Sequence, residues 1–598
     1  MNPGFAFGDH IKTEKIKRRL YSEPSKFRIR GYFLLLFLVV VVVLCIGRLG
    51  YLQLFRGDYY RALSDSNRIR TEVIYAPRGI IFDRTGVPLV RNSPGFRQTF
   101  KDSGGTRSVL LSREQAIPLM AAREKNIAVD SLREYPYKEA MANVLGYTGQ
   151  VSEADLRGAK YANADPNDFI GKTGIEERYE RLLAGQNGKQ LVEVDALGRS
   201  VRSLGQADPV AGDNITLTLD ARLQQAAYTA ASDIAKGAVI VARPNGEILA
   251  MVSKPSYDPN LFTMDSTYSV SSRSAYKSVG EVLRDEQNQP LLNRAIGGVY
   301  PPGSTFKLVV AAAGLEQRRI DGNYTVEDTG VLKVGDFSFA NWYYTQYGKT
   351  EPGELNVVRA LARSNDIFFY KLAERVGVDK ISEMADKFGV GRVTGIDLPG
   401  EAKGVLPSKK WKEEVIKDSW YLGDTFHYGI GQGFLLTTPL QVNMWTAGIA
   451  NGGVLPVPHL LLNENGGHET GKFLSESTIS LIREGMIDSC KPGGVAWPLF
   501  NFKVKNSKLP VDGKNFLEVK TGSDSAVLKD YREVSVACKT GTAEHGGEDT
   551  LPHAWITLYA PAYNPEVVVT VLNESSGEGS SKAGPVADKI LESYFSMR

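Results

Sequence analysis

Along the chain, the alternation of apolar and polar positions changes period repeatedly, and each change predicts a different kind of element. Gly31 to Gly47, GYFLLLFLVVVVVLCIG, has no polar face, and RLGYLQLF continues it past Arg48 to about the length of a bilayer crossing. From YYRALSDSNRIR to about residue 205, short extended runs mix with charged helical pieces such as GIEERYERLLAG. A turn-rich joint, GQADPVAGDN, follows. ITLTLDARLQQAAYTAASDIAKGAVIVARPNGEILAMVS then predicts strand, helix, strand, PNGE hairpin turn and strand. Past Ser304 the period is mostly helical, with LNVVRALARSNDIFFYKLAERVG and PLQVNMWTAGIANGG as amphipathic stretches. Strands return in VSVACKTGTAE, HAWITLYAP and PEVVVTVLNE, before a last helix, GPVADKILESYFSM. Strands, then helices, then strands predict an α+β domain with a mainly antiparallel sheet. The expected organisation is a tail at 1–30, a transmembrane anchor at 31–54, a small stalk-like domain at 55–212 and a larger domain at 213–598.

Charge orients the anchor. Lys12, Lys15, Lys17, Arg18, Arg19, Lys26, Arg28 and Arg30 precede the span against Asp9, Glu14 and Glu23, so the N-terminus is expected in the cytoplasm and the rest outside. A cleaved signal peptide fits less well, because the cationic arm and apolar core are long and no AxA-like site follows. At 598 residues, 42% hydrophobic, 23% charged and with a net charge of +3, the chain reads as folded and not as a nucleic-acid binder. Cys45, Cys490 and Cys538 make no disulfide framework and no zinc spacing, so packing alone is expected to hold the fold. The six histidines lack HExxH spacing, and neither metal nor cofactor is expected.

The candidate chemistry lies in YPPGSTFKLVV. Pro301, Pro302 and Gly303 cannot extend a helix backwards, so Ser304 should sit at a helix start, with Lys307 one turn on along the same face. Free amides and the helix dipole there favour developing negative charge, and burial in LVVAAAGL would depress the lysine pKa toward that of a base. SxxK alone is weak, since SAYK at Ser274 to Lys277 matches equally, though in a polar stretch expected to be loop. KTG occurs at Lys172, Lys520 and Lys539. GKTGIEERYE opens a charged helix and EVKTGSDSAVLKD runs into a polar turn; only VSVACKTGTAE is a strand with a following partner strand. Between Ser304 and Lys539 the one SxD is Ser364 to Asp366, in ARSNDIFFYKLAE, where a helix cap is the simpler reading of an isolated serine. SxxK, SxD and KTGT in this order are far more specific than any one of them.

With those motifs, NRIRTEVIYAPRGIIFDRTGVPL, REYPYKEAMANVLGYTG, GKTGIEERYERLLAG, GEILAMVSKPSYDPN, GIDLPGEAKGVLP and GIGQGFLLTTPLQ, the chain resembles the class B penicillin-binding proteins, bitopic D,D-transpeptidases of bacterial wall synthesis. The resemblance implies a pedestal at 55–212 and a transpeptidase domain at 213–598. It implies that Ser304 attacks the penultimate D-alanine carbonyl of a stem pentapeptide, that Lys307 takes the serine proton, and that Ser364 and Lys539 relay it to the leaving amine. Thr540, Gly541 and Thr542 would bind substrate, the two threonine hydroxyls holding its carboxylate, and the backbone amides of Ser304 and Thr542 would form the oxyanion hole. Asp366 stands where the family most often has asparagine; a carboxylate there raises the Lys307 pKa, the wrong direction for a base. Aspartate here and YPPGST point to the elongation-type, penicillin-binding protein 2-like branch. Cys538 replaces the usual glycine, and the pedestal head, with about forty residues between LVRNSP and REYPYKEA, is short. Implied partners are stem peptides and lipid-linked nascent glycan, β-lactams as covalent inhibitors, a SEDS-family glycosyltransferase and other elongation proteins, at the inner (plasma) membrane with the catalytic domain periplasmic. Rival readings are a septal transpeptidase, a hydrolytic carboxypeptidase or β-lactamase, and a non-catalytic sensor or scaffold. The sensor lacks room for an effector in about thirty N-terminal residues.

Overall fold

The computed structural model describes residues 25–102, 105–122, 127–158, 168–195, 200–264, 267–351, 353–462, 471–521, 526–547 and 550–598. The basic arm before residue 25 lies outside them. The chain packs as two compact units, residues 25–72 with 190–206, and residues 73–189 with 207–598. The first contains the apolar helix Ser25–Gly50, a π turn at Tyr51–Phe55, the helix Gly57–Arg68 and most of a three-stranded sheet of Ile69–Ile74, Gly188–Val194 and Ser200–Ala207. Among the described residues, only Ile29–Phe55 is long and apolar enough to cross a membrane, and none of its most apolar stretch is covered by protein.

In the second unit, GIEERYERLL forms two short helices, Gly174–Arg178 and Glu180–Leu183, in which Glu176 and Glu180 face inward while Arg178 and Arg181 are exposed. Glu176 is fully buried and accepts from both Arg78 (2.6 Å) and Arg133 (2.7 Å), while Glu180 takes the other arm of Arg78 (2.6 Å). Paired arginines make burial of these carboxylates tolerable. Asn260 then exchanges hydrogen bonds with the Tyr135 backbone, and Tyr179 donates to Asp397 (2.7 Å), so this part is stitched to the rest of the unit by polar contacts.

The larger sheet is α+β in the expected manner. β1 (Gly237–Ala242), β2 (Ile248–Lys254), β3 (Ala537–Ala543), β4 (His553–Ala560) and β5 (Val567–Asn573) form one antiparallel sheet in the order β2-β1-β5-β4-β3. Both faces are covered. Val239, Val241, Val569 and Val571 pack on one side with Leu223, Ile590 and Phe595 of the flanking helices, and Ala238, Ile240, Val568 and Leu572 pack on the other. That is why GAVIVA and VVVTVLN are continuous apolar runs rather than alternating ones. The helix Pro439–Ala450, expected to be amphipathic, is buried from Pro439 to Ile449 because it lies against the second face of this sheet. A chain of hydroxyls, Thr446 to Thr557 to Thr570 with Asn443 donating to Thr570, satisfies the Thr446 hydroxyl and the Asn443 amide N–H there.

Packing is not the only constraint. Cys490, at the C-terminal cap of the helix Glu476–Ser489, is bonded to Cys538 of β3, with Cα atoms 5.9 Å apart. This corrects the expectation drawn from three scattered cysteines: 48 positions apart, the pair is joined by topology that spacing alone does not reveal.

Candidate active site

Ser304 lies in a single 3-10 turn, Gly303–Phe306, that leads directly into α1 (Lys307–Glu316). Gly303 takes φ +53°, and a Cβ there would stand 2.8 Å from Thr542 O, so the turn and β3 approach backbone to backbone. Behind it, Gly303 N donates to Gly431 O (3.0 Å), and a Cβ on Gly431 would overlap Gly303 O at 2.1 Å. Trp555 Nε1 donates to Pro301 O (3.1 Å), closing the same turn against β4. The serine is thus held by glycine contacts that any side chain would break.

The helical stretch around ARSND is interrupted. α2 (Val357–Ala362) ends, Ser364 takes φ +52°, and α3 (Asp366–Val376) begins with Asn365, not Ser364, as its cap, accepting from Phe368 N (2.9 Å). A left-handed non-glycine residue is costly and is kept where the surroundings impose it. Here it turns the Ser364 hydroxyl to accept from Lys539 Nζ (2.8 Å), while Ser364 O accepts from Lys307 Nζ (2.8 Å). Lys539 also donates to Thr540 O (2.9 Å), and Lys307 to Asp366 Oδ1 (2.6 Å); Asp366 Oδ2 accepts from Trp342 N (2.9 Å). The fold therefore brings Lys307, Ser364, Asp366 and Lys539 into one bonded cluster, one turn of chain from Ser304 at Lys307.

Both lysines are completely buried. Burial pushes the Lys307 amine below the usual lysine range, against the opposing pull of Asp366. The carboxylate acts in the direction expected of it, but desolvation outweighs it. Burial, then repulsion from Lys307, holds Lys539 well below the ordinary value. Ser304, Ser364, Asp366, Thr540, Gly541 and Thr542 all line one open cleft of about 1710 Å³, whose far wall carries Phe339, Tyr343, Tyr347, Tyr421 and Trp497. A hydroxyl over a buried amine of lowered basicity, with a second hydroxyl and amine beside it, is suited to acyl transfer through a serine ester.

The other motif copies are spent elsewhere. Ser274 donates to Tyr276 O (3.1 Å) and Lys277 to Ser271 O and Ser272 O, in a loop. Lys172 pairs with Asp155 (2.5 Å). Lys520 sits in Phe516–Thr521, a strand of a separate three-stranded sheet; residues 522–525, where the sequence predicts a polar turn, lie outside the described residues. The segment 328–351 escaped sequence reasoning: it has no catalytic motif, yet it supplies Trp342 to Asp366 and much of the cleft wall.

Residues 236–592 match the family described as the penicillin binding protein transpeptidase domain, and residues 124–217 the penicillin-binding protein dimerisation domain. The chain belongs to the penicillin-binding protein transpeptidase family. It is 33% identical to the peptidoglycan D,D-transpeptidase MrdA of Escherichia coli K12, over 97% of this chain and 96% of that one. It is 31% identical to the peptidoglycan D,D-transpeptidase PbpA of Mycolicibacterium smegmatis, over 76% and 81%. The Helicobacter pylori PBP2 solved in complex with MreC superposes with a TM-score of 0.71 at 28% identity, covering 88% of this chain and 99% of that one. Pseudomonas aeruginosa PBP2, solved in complex with WCK 5153, gives 0.65 at 31% identity, over 88% and 96%.

Proposed function

We propose that this chain is a membrane-anchored peptidoglycan D,D-transpeptidase of the elongation type, with a pedestal at 55–212 and a catalytic domain at 213–598. The observation that carries the reading is the bonded cluster of Lys307, Ser364 and Lys539, with Ser304 and Ser364 lining one cleft. Ser304 Oγ attacks the carbonyl of the penultimate D-alanine, its proton passing to the neutral Lys307 amine. Burial, which lowers the basicity of Lys307 against the pull of Asp366, favours that neutral form. As the ester bond forms, the amide C–N bond breaks and D-alanine leaves, its nitrogen receiving a proton through Ser364 and Lys539. The amides of Ser304 and Thr542 stabilise the oxyanion, and the hydroxyls of Thr540 and Thr542 hold the terminal carboxylate. An amine of a neighbouring stem peptide then displaces Ser304, which regains its proton, and a crosslink is made.

The apolar helix and the basic residues before it support an anchor with a cytoplasmic N-terminus and a catalytic domain outside the plasma membrane. Likeness to a PBP2 solved with MreC, and to one in a peptidoglycan synthase complex, supports work beside a polymerising SEDS-family partner and other elongation proteins. The test is crosslinking of nascent glycan made from lipid-linked precursor by a separate polymerase. Muropeptide dimers are expected with the full chain and not with Ser304→Ala. Shortened stems without dimers would make it a carboxypeptidase, and unchanged stems would remove the catalytic reading.

A further inference from the structure

Asp328 lies outside every motif above, and its carboxylate, 4% exposed, is surrounded by uncharged donors. Oδ1 accepts from Gly330 N (2.9 Å). Oδ2 accepts from Asn341 Nδ2 (2.8 Å), Glu351 N (2.9 Å) and Asn365 Nδ2 (3.0 Å). A buried carboxylate is costly unless its oxygens are fully bonded, and here the bonds converge from three places. Gly330 is the start of the segment that forms the hairpin Val331–Val334/Phe337–Ala340 and the helix Trp342–Tyr347; Glu351 is its end. Asn365 is the residue between Ser364 and Asp366.

From Asn341 the bonds run on toward the chemistry. Its Oδ1 accepts from Asp366 N (3.1 Å), and the next residue, Trp342, donates its backbone N–H to Asp366 Oδ2 (2.9 Å) and its indole N–H to Arg363 O (3.2 Å). Asp366 Oδ1 in turn takes the Lys307 amine (2.6 Å). The 330–349 segment also places Phe339, Tyr343, Tyr347 and Lys349 on the cleft. One buried carboxylate therefore fixes the corner at 341–342 that orients Asp366, the Asn365 side chain beside it, and both ends of a cleft wall.

We propose that Asp328 is a positioning residue for acyl transfer: by fixing Asn341 and Asn365 it holds Asp366 against Lys307 and holds the 330–349 wall to the cleft. It touches neither substrate nor the reacting atoms. The inference rests on Ser304 being the residue acylated. If the 341–342 corner loosens, Asp366 loses two of its bonds and turns from Lys307, whose amine then faces Lys539 without a compensating carboxylate.

The test is the rate of benzylpenicillin acylation of the full-length protein, followed by intact mass across pH, for wild type, Asp328→Asn, Asn341→Ala and Asp366→Asn. Asn341→Ala breaks the relay while leaving the Asp328 carboxylate and its bonds to Gly330, Glu351 and Asn365 in place, and keeps the test decisive where Asp328→Asn does not fold. Asp328→Asn and Asn341→Ala are each expected to slow acylation about tenfold or more. Each is also expected to move the acid limb of the profile to lower pH, in the direction of Asp366→Asn. Folded variants that acylate within about twofold of wild type overturn the inference. So does a slower rate with an unmoved acid limb, which would make Asp328 a holder of the fold only. Wild-type protein that forms no adduct overturns the functional reading itself, and this inference with it.

Discussion

Lys307 is pulled two ways, and the direction of the balance sets its pH dependence. Burial disfavours the ammonium and Asp366 favours it; the net shift is downward. Acylation needs the neutral amine, so its rate rises as pH rises through the Lys307 pKa. Asp366→Asn removes the influence that raises that pKa, so the acid limb is expected to move to lower pH, read by stopped-flow acylation with a chromogenic β-lactam. A limb that stays in place would show that Asp366 does not tune the base. At this scale the sequence is legible where chemistry has a local signature: a serine after Pro-Pro-Gly, a lysine one turn on, a KTGT in a β-branched strand. Asp366 was legible as a departure, but its outcome was not, because the opposing cost is burial, which depends on the whole cluster. Ser364 reads as a cap because serine usually is one; the neighbouring Asn365 takes that role, and this leaves the hydroxyl of Ser364 for Lys539.

Elements position these residues by their breaks as much as by their regularity. The stretch LNVVRALARSNDIFFYKLAERVG carries one helical period, but the left-handed Ser364 splits it into α2 and α3, and Ser364 and Asp366, the groups that meet the two buried lysines, lie at the split. β3 is an edge strand, so its alternation sends Cys538 to the side of the sheet facing the C-terminal helix and Lys539 to the side of the serine turn. The Cys490–Cys538 bond ties that edge to the helix Glu476–Ser489, and Arg363, next to Ser364, donates to Gly493 O and Gly494 O just beyond it. The strand and the ARSND corner thus share one anchoring loop. Replacing both cysteines by serine is expected to lower stability by about 2–4 kcal/mol, seen as a lower denaturant midpoint of the folded domain. An unchanged midpoint would mean the bridge adds nothing to packing. The β1–β2 hairpin and the mainly antiparallel sheet follow from the PNGE turn and the closely spaced terminal strands; the pairing of β1 with β5 is not written in either. The pairing of cysteines and the role of the 328–351 segment do not follow from them, since both depend on contacts distant in sequence with no periodic signal.

Over the whole molecule, the chain carries an apolar N-terminal helix, a dimerisation domain with buried arginine–glutamate pairs and a transpeptidase domain built on a two-sided sheet, and it is similar to MrdA and PBP2 over most of its length. The larger fold was legible because strand runs, helical period and the apolar span are coarse signals that burial on both faces only strengthens. The packing of residues 73–189 with the catalytic domain was not, since it rests on polar contacts between residues far apart in sequence, Asn260 with the Tyr135 backbone and Tyr179 with Asp397. The measurement that tests the account most directly is intact-mass spectrometry of the protein with excess benzylpenicillin, beside Ser304→Ala and Ser274→Ala. A stable adduct is expected in the wild type and in Ser274→Ala, and none in Ser304→Ala. An adduct that survives Ser304→Ala, or a folded wild type that forms none, would contradict the assignment of Ser304 as the acylated nucleophile.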